Sequence, residues 1–326
     1  AGFSSTYYNQ GSLNNKGVEF SLNAQIIDSS SWKWSVSGNI GVNRNEISDL
    51  GLLPADFGCL GERVGYYGNS LGDHFGVGHI FLAGEAPGLF YGYVTQGIVQ
   101  KEDITENGIK YIKQDGSVGY YQTVNKTTPV AGDVKYVDRN GDGVVDDNDR
   151  DIIGNPNPDF TYGFQTKVSW KSLSLSASFN GVQGRDILNV GNRYNNTPGT
   201  KSNNVTRKAF QNMWTDENPS NLYPKSTFVV QNMVMDRYVE DGSYLRCSDI
   251  TLSYVLPAKW TNKIGIKNTS VYASVKNAFV ITDYSGYDPE VNSFAFDGLR
   301  PGVDMNSYPT PRSVSYTHLR AHETRG

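Results

Sequence analysis

No apolar run of about 18 residues or more occurs in the 326-residue chain, so none of its segments can cross a bilayer as a helix. Cysteine is nearly missing. Cys59 and Cys247 are far apart and make neither a disulfide framework nor a zinc-ligand spacing. An excess of positive charge is also missing: 29 Lys and Arg face 33 Asp and Glu, for a net charge of −4. With a pI near 5.6, nothing supplies the basic face that nucleic acid requires. The opening "AGFSSTYYNQ" carries neither the basic nor the apolar region of an export signal. That leaves a cytosolic protein or a chain whose true beginning lies upstream, and the pattern that follows favours the second.

What the chain does have is aromatics and glycine: 21 Tyr, 14 Phe, 5 Trp and 35 Gly. A mean hydropathy of −0.48 is too polar for a helical membrane protein. Helical periodicity is scarce, whereas period-two alternation is plain in six segments. In "GVEFSLNAQII", Val18, Phe20, Leu22, Ala24 and Ile26 alternate with Glu19, Ser21, Asn23 and Gln25. "WKWSVSGNIGVN", "YGFQTKVSW", "LSLSASFN", "YLRCSDITLSYVL" and "SVYASVKNAFVI" behave alike, the fifth with a phase slip near Ser248 that suggests a bulge. Short links ("DSSS", Lys171, "PAKWTNKIGIKN") alternate with long ones, one of which runs from residue 48 to 160. Short turns at one end and long loops at the other predict an all-β fold, the antiparallel up-and-down strands of a transmembrane β-barrel with long extracellular loops. A soluble sandwich would distribute its loops more evenly. Small polar residues on the second face suit a watery lumen. Trp32, Trp34, Tyr162, Trp170 and Tyr254 near strand ends suit interfacial girdles. Further strands are expected in "GLFYGYVTQGIVQ" and "IKYIKQDGSVGYYQT", either crossing the membrane in pairs or standing above it.

Five stretches in order make the pattern specific: "NNKGVEFSLNA", "GLFYGYVTQGIVQ", "GDVKYVDRNGDGVVDDNDRDIIGNPNPDFTYGF", "RYVEDGSYLRCSDITLSYVLP" and "VYASVKNAFVITDYSGYDPEVN". Together they resemble the C-terminal part of a SusC/RagA-type TonB-dependent outer-membrane transporter of the Bacteroidetes group. The resemblance implies a barrel fragment over residues 1–313, lacking the plug, the TonB box and most early strands, and therefore an open, incomplete barrel. It also implies import of glycan fragments or peptides, TonB as energy coupler, outer-membrane lipid around the barrel, and a SusD-like surface lipoprotein as lid. The terminal "VSYTHLRAHETRG", residues 314–326, departs from the family's final strand. It resembles a translated sequencing adaptor and is read as an artefact or a disordered tail. On that reading His318 and His322 carry no meaning.

The densest run of oxygen ligands is "DRNGDGVVDDND". Counted from Asp138, side-chain oxygens fall at the EF-hand ligand positions in Asp138, Asn140, Asp142, Asp146 and Asp149, with Gly143 at the sharp turn and the Val144 carbonyl at the seventh place. Hard cations want six or more oxygens, so structural Ca2+ is expected. Asp149 stands where EF-hands carry the longer Glu, which shortens a bidentate reach, and flanking helices are missing. An Asp/Gly turn that binds nothing is the alternative. His74 and His79 lack a third ligand and read as ordinary loop histidines. Neither a P-loop nor a nucleophile constellation stands out, and no carboxylate pair is singled out, so no catalytic residue is expected. Loop aromatics Tyr194, Trp214, Tyr284, Tyr287 and Phe294 are candidates for contact with cargo or lid, against the alternative of packing within the loops. Two other function classes remain at this stage. A secreted calcium-binding β-domain, such as an adhesin, predicts a closed soluble core. An all-β carbohydrate-active enzyme predicts turnover that depends on a carboxylate pair.

Overall fold

The computed structural model describes residues 11–51, 58–60, 63–72, 75–197, 204–226, 233–261 and 269–317. All six predicted strands are present. Ser12–Asp28, Trp32–Asp49, Phe160–Trp170, Leu173–Gln183, Tyr244–Val255 and Ser270–Thr282 pair in chain order, each antiparallel to the next. A seventh strand, Ser313–Thr317, pairs with the sixth and takes in Val314 to Thr317 of the segment read as artefact or tail. An alternating five-residue string satisfies the open ladder of an edge strand, which accommodates it there. The rest of that tail lies outside the described residues. The sheet does not close: its first and seventh strands are its two edges.

Register explains why the alternation is so regular. Phe20 lies opposite Ile40, which lies opposite Tyr162; Trp34 faces Val168, and Val168 faces Leu175, then Leu252 and Ala273. One face is therefore apolar from edge to edge, and it is bare: Val18 is 74%, Phe20 61%, Leu175 48% and Ile281 61% exposed. The opposite face carries Glu19, Asn39, Gln165, Lys167, Ser176 and Asp249 in matching register. Leaving one such large apolar side chain in water forgoes about 1.5–3 kcal/mol, so an entire face of them needs another solvent. The bulge falls where the phase slips. Pairing skips Ser248 on both sides, and its hydroxyl donates to the Ser178 carbonyl at 3.1 Å. Trp32 stacks on Trp170 at 5.9 Å beside the short turns, as an interfacial girdle requires.

The hydrophobic core lies away from this sheet. The three long connections, 50–159, 184–243 and 283–312, leave the same end of the meander and fold into one body. Phe90, Tyr93, Tyr111, Tyr121 and Tyr136 from the first bury against Leu188, Val190, Met235 and Tyr238 from the second and Val303 from the third. Asp186–Asn189 pairs with both Val239–Asp241 and Val303–Asp304, which ties the second and third connections together. The two stretches expected to hold further strands form Leu89–Tyr93, Thr95–Ile98, Gly108–Ile112 and Val118–Tyr121. All four belong to small sheets of this body and none joins the seven-stranded sheet, so they stand beyond its end and do not cross with it.

Candidate functional site in the loop body and on the polar face

The calcium-type loop sits inside the loop body, leading into Arg150–Gly154, which pairs with Leu89–Tyr93. Its side chains make the turns their spacing predicts. Asp138 accepts from Gly141 N at 2.6 Å and Gly143 N at 2.9 Å; Asn140 accepts from Asp142 N at 2.9 Å; Asp142 accepts from Val144 N at 2.8 Å. Gly143, at φ 87°, takes the left-handed turn that a side chain would strain. Asp146 accepts from Asn148 N at 2.8 Å, and Val144–Val145 pairs in parallel with Thr123–Val124. Asp149 is fully buried (0% exposed) and reaches back across the loop, accepting from Arg139 N at 2.7 Å, Asn140 N at 3.3 Å and Asp146 N at 2.8 Å. Burial pushes its carboxyl above the usual range, and these N–H groups pull the other way. The shorter acid at the twelfth position thus closes the loop on itself. Tyr111 fastens it to the core, donating to the Asp138 carbonyl at 2.6 Å, and burial pushes that phenol up to about 12. Among the described residues, no three His, Cys, Asp or Glu side chains are gathered as a metal site.

The predicted contact aromatics divide. Trp214 is 8% exposed, and its indole N–H donates to Gln100 at 3.0 Å. Tyr284 is buried and donates to Asp304 at 2.6 Å, which, after burial itself, raises its phenol strongly. Phe294 packs against the loop core under Arg300, whose guanidinium lies 3.9 Å from its ring centre. Only Tyr287 of the described set is open, at 69% exposure. The side chain of Tyr194, in the helix Val190–Asn196, is outside the described residues. Trp214, Tyr284 and Phe294 are positioned as struts of the loop body, and Tyr287 as a surface group.

Two further features were given no role from the chain itself. Arg246 stands on the polar face of the fifth strand and is buried, 2.5 Å from Asp288 Oδ1. Its Nε lies 2.7 Å from Glu290 Oε2, an ion pair whose alignment falls short of a hydrogen bond. Glu290 also accepts from Tyr244 at 2.6 Å and Asn180 at 3.3 Å, and Asp288 accepts from Thr310 N at 2.9 Å. This network clamps the third connection onto the sheet. The second feature is His79, fully buried in His79–Phe81, with Nε2 2.9 Å from the Pro301 carbonyl and Nδ1 without a partner. A Cβ on Gly68 would come within 2.4 Å of the Leu299 carbonyl and 2.9 Å of His79 Cβ, so only glycine allows this close approach. His74 lies outside the described residues. The string Gly68-Asn69-Ser70-Leu71-Gly72 spells a nucleophile elbow, yet it lacks the strand-to-helix turn that motif needs. Ser70 pairs with Val77 in an isolated bridge, and its hydroxyl bonds to Gly72 at 3.2 Å.

A scan against family models finds no match. Among curated proteins, TonB-dependent receptor P26 of Formosa agariphila is 30% identical over 323 residues, covering 96% of this chain and 30% of the relative. TonB-dependent receptor SusC of Bacteroides thetaiotaomicron is 31% identical over 310 residues, covering 92% of this chain and 26% of the relative. Among solved structures, the RagAB peptide importer in its closed-closed state superposes with a TM-score of 0.66 at 26% identity, over 96% of this chain and 30% of that one. This chain is part of a SusC/RagA-type TonB-dependent receptor barrel. The open sheet is intelligible in those terms, because the chain spans about 30% of the length of the first relative.

Proposed function

We propose that the whole receptor lies in the outer membrane and imports oligosaccharides or peptides through TonB coupling, with a SusD-like lipoprotein seated over its loops. The observation that carries this reading is the two-faced sheet, bare and apolar on one side and polar on the other, with its loops gathered at one end. The relatives' names, receptors and a peptide importer, favour transport over an adhesin or a carbohydrate-active enzyme. The direct test is uptake of labelled oligosaccharides and peptides by cells carrying the intact receptor. Uptake should stop when TonB is deleted or the proton gradient is collapsed; uptake that survives both would sink the reading. A simpler check uses this chain alone, which should aggregate in water through its apolar face and open edges. A monodisperse monomer without detergent would count decisively against it.

The lipid assignment has its own residue-level test. Leu175→Arg puts a charge on the apolar face and should destabilise the receptor by about 2 kcal/mol in a bilayer. Ser176→Arg, one residue on and facing the lumen, should cost far less. Urea unfolding in lipid vesicles reads the difference, and equal costs would refute the facing. For the loop 138–149, the donor set of carboxylates, one amide oxygen and a carbonyl suits a hard cation. The proposal is that Ca2+ binds there and stiffens a loop that Asp149 already closes. Millimolar calcium should then slow proteolysis between residues 138 and 149 and add one metal per receptor. No change in either measure rejects calcium.

A further inference from the structure

The second long connection builds a small cavity at the loop end of the molecule. It has a volume of about 180 Å³, and Asn192, Asn196, Thr197, Lys208, Leu222 and Arg237 are among its lining residues. That is room for about six water molecules, or for one compact polar group of a ligand. Among the described residues, two cations line it and no carboxylate does.

Five other cations of the loop body are neutralised by an acid. Lys101 pairs with Asp216, Lys135 with Asp103, Arg139 with Asp151, Lys225 with Asp133 and Arg300 with Asp297. Lys208 and Arg237 have no acidic partner among the described residues, and Arg237 spends one N–H on the Leu222 carbonyl. The acids that flank Arg237 in the chain, Asp236 and Glu240, are engaged elsewhere. Asp236 accepts from Thr95 N at 3.0 Å and its hydroxyl at 2.6 Å. Glu240 accepts from Asn189 at 2.9 Å, from Asn192 at 2.8 Å and twice from Ser285 at 2.9 Å. By holding the Asn192 amide, Glu240 fixes the cavity's polar wall without contributing a carboxylate to the lining. The Asn196 amide donates to Asn192 in turn, so the charge facing the cavity is that of Lys208 and Arg237, and two cations in one concavity are the chemistry that recognises a carboxylate.

We propose that this cavity, with Lys208 and Arg237 as its charged groups, binds a carboxylate of the ligand. The carboxylate could be the C-terminus of a peptide or the acid of a uronic sugar, and the two sources separate by experiment. The proposal concerns an equilibrium binding site and stands whether or not the receptor imports what it binds. The test is calorimetry on the intact receptor in detergent with four probes: a tetrapeptide with a free C-terminus, its C-terminal amide, an oligogalacturonate, and its methyl ester. At least one free acid should bind about tenfold or more tightly than its neutral counterpart, with affinity falling as salt rises. Lys208→Gln and Arg237→Gln should each remove most of that preference. Lys208 is exposed, so its variant folds regardless of the cavity's role. Lys101→Gln, a cation already paired on the surface, should leave the preference intact. Preference for only the peptide or only the sugar identifies the source. Equal binding of acid and neutral probes, no binding of either acid, or a preference untouched by Lys208→Gln and Arg237→Gln together overturns the site.

Discussion

Arg246→Ala should release the third connection from the barrel wall and cost the receptor about 3–5 kcal/mol. The magnitude follows from what is left behind. Arg246 and Asp288 are both buried, and Glu290 leans on the same guanidinium. Deleting the cation strands the buried Asp288 carboxylate, while Glu290 stays in reach of water, and an unpaired buried charge costs more than the intact pair contributes. Limited proteolysis checks this by cleavage within residues 283–312, resisted by the parent and accepted by the variant. Asp288→Asn added to Arg246→Ala removes that stranded charge and should recover part of the loss. If residues 283–312 resist protease equally in the parent and in Arg246→Ala, the clamp is not what holds them.

Acid should loosen the loop body through His79. Burial lowers its pKa from 6.5 to about 4, opposed by the bond to the Pro301 carbonyl; Arg300 nearby lowers it further and Asp297 acts the other way. The sign follows from proton binding. Between pH 6.5 and about 4 the unfolded chain takes up a proton that the folded one refuses, so stability is full above pH 6.5 and drains away as pH falls to about 4. The full contribution is about 3 kcal/mol. The cause is geometric: one ring nitrogen faces a carbonyl and the other has no acceptor for a second N–H. Hydrogen exchange of His79–Phe81 and of residues 299–303 should therefore quicken across that window. His79→Gln, which keeps a donor for Pro301 and cannot titrate, should flatten the response. Exchange that is already flat in the parent would dispose of the idea.

Both effects arise from contacts between distant segments, and that marks the boundary of what the chain discloses when read alone. The six long strands were legible because each has one face in an apolar solvent and one in water, which writes a period of two into the sequence. Even the bulge at Ser248 shows as a slip in that period. Leu89–Tyr93 has no such signature, because every residue in it is buried. The same limit governs the site. The spacing from Asp138 to Asp149 displays an oxygen-rich loop, but not that Asp149 spends its oxygens on Arg139, Asn140 and Asp146. Trp214 and Tyr284 look like free loop aromatics until their partners Gln100 and Asp304, from other parts of the chain, are in view. The pairing of Arg246 with Asp288, and the shortage of acids around Lys208 and Arg237, exist only in three dimensions.

The shared core of the three long connections bears on how such receptors diversify. Tyr136 and Phe90 from the first, Met235 and Leu188 from the second and Val303 from the third bury one another, so each connection supplies the interior of the other two. A graft that exchanged a single connection with a relative would expose the other two to mismatched partners. Chimaeras should therefore fold when all three connections travel together.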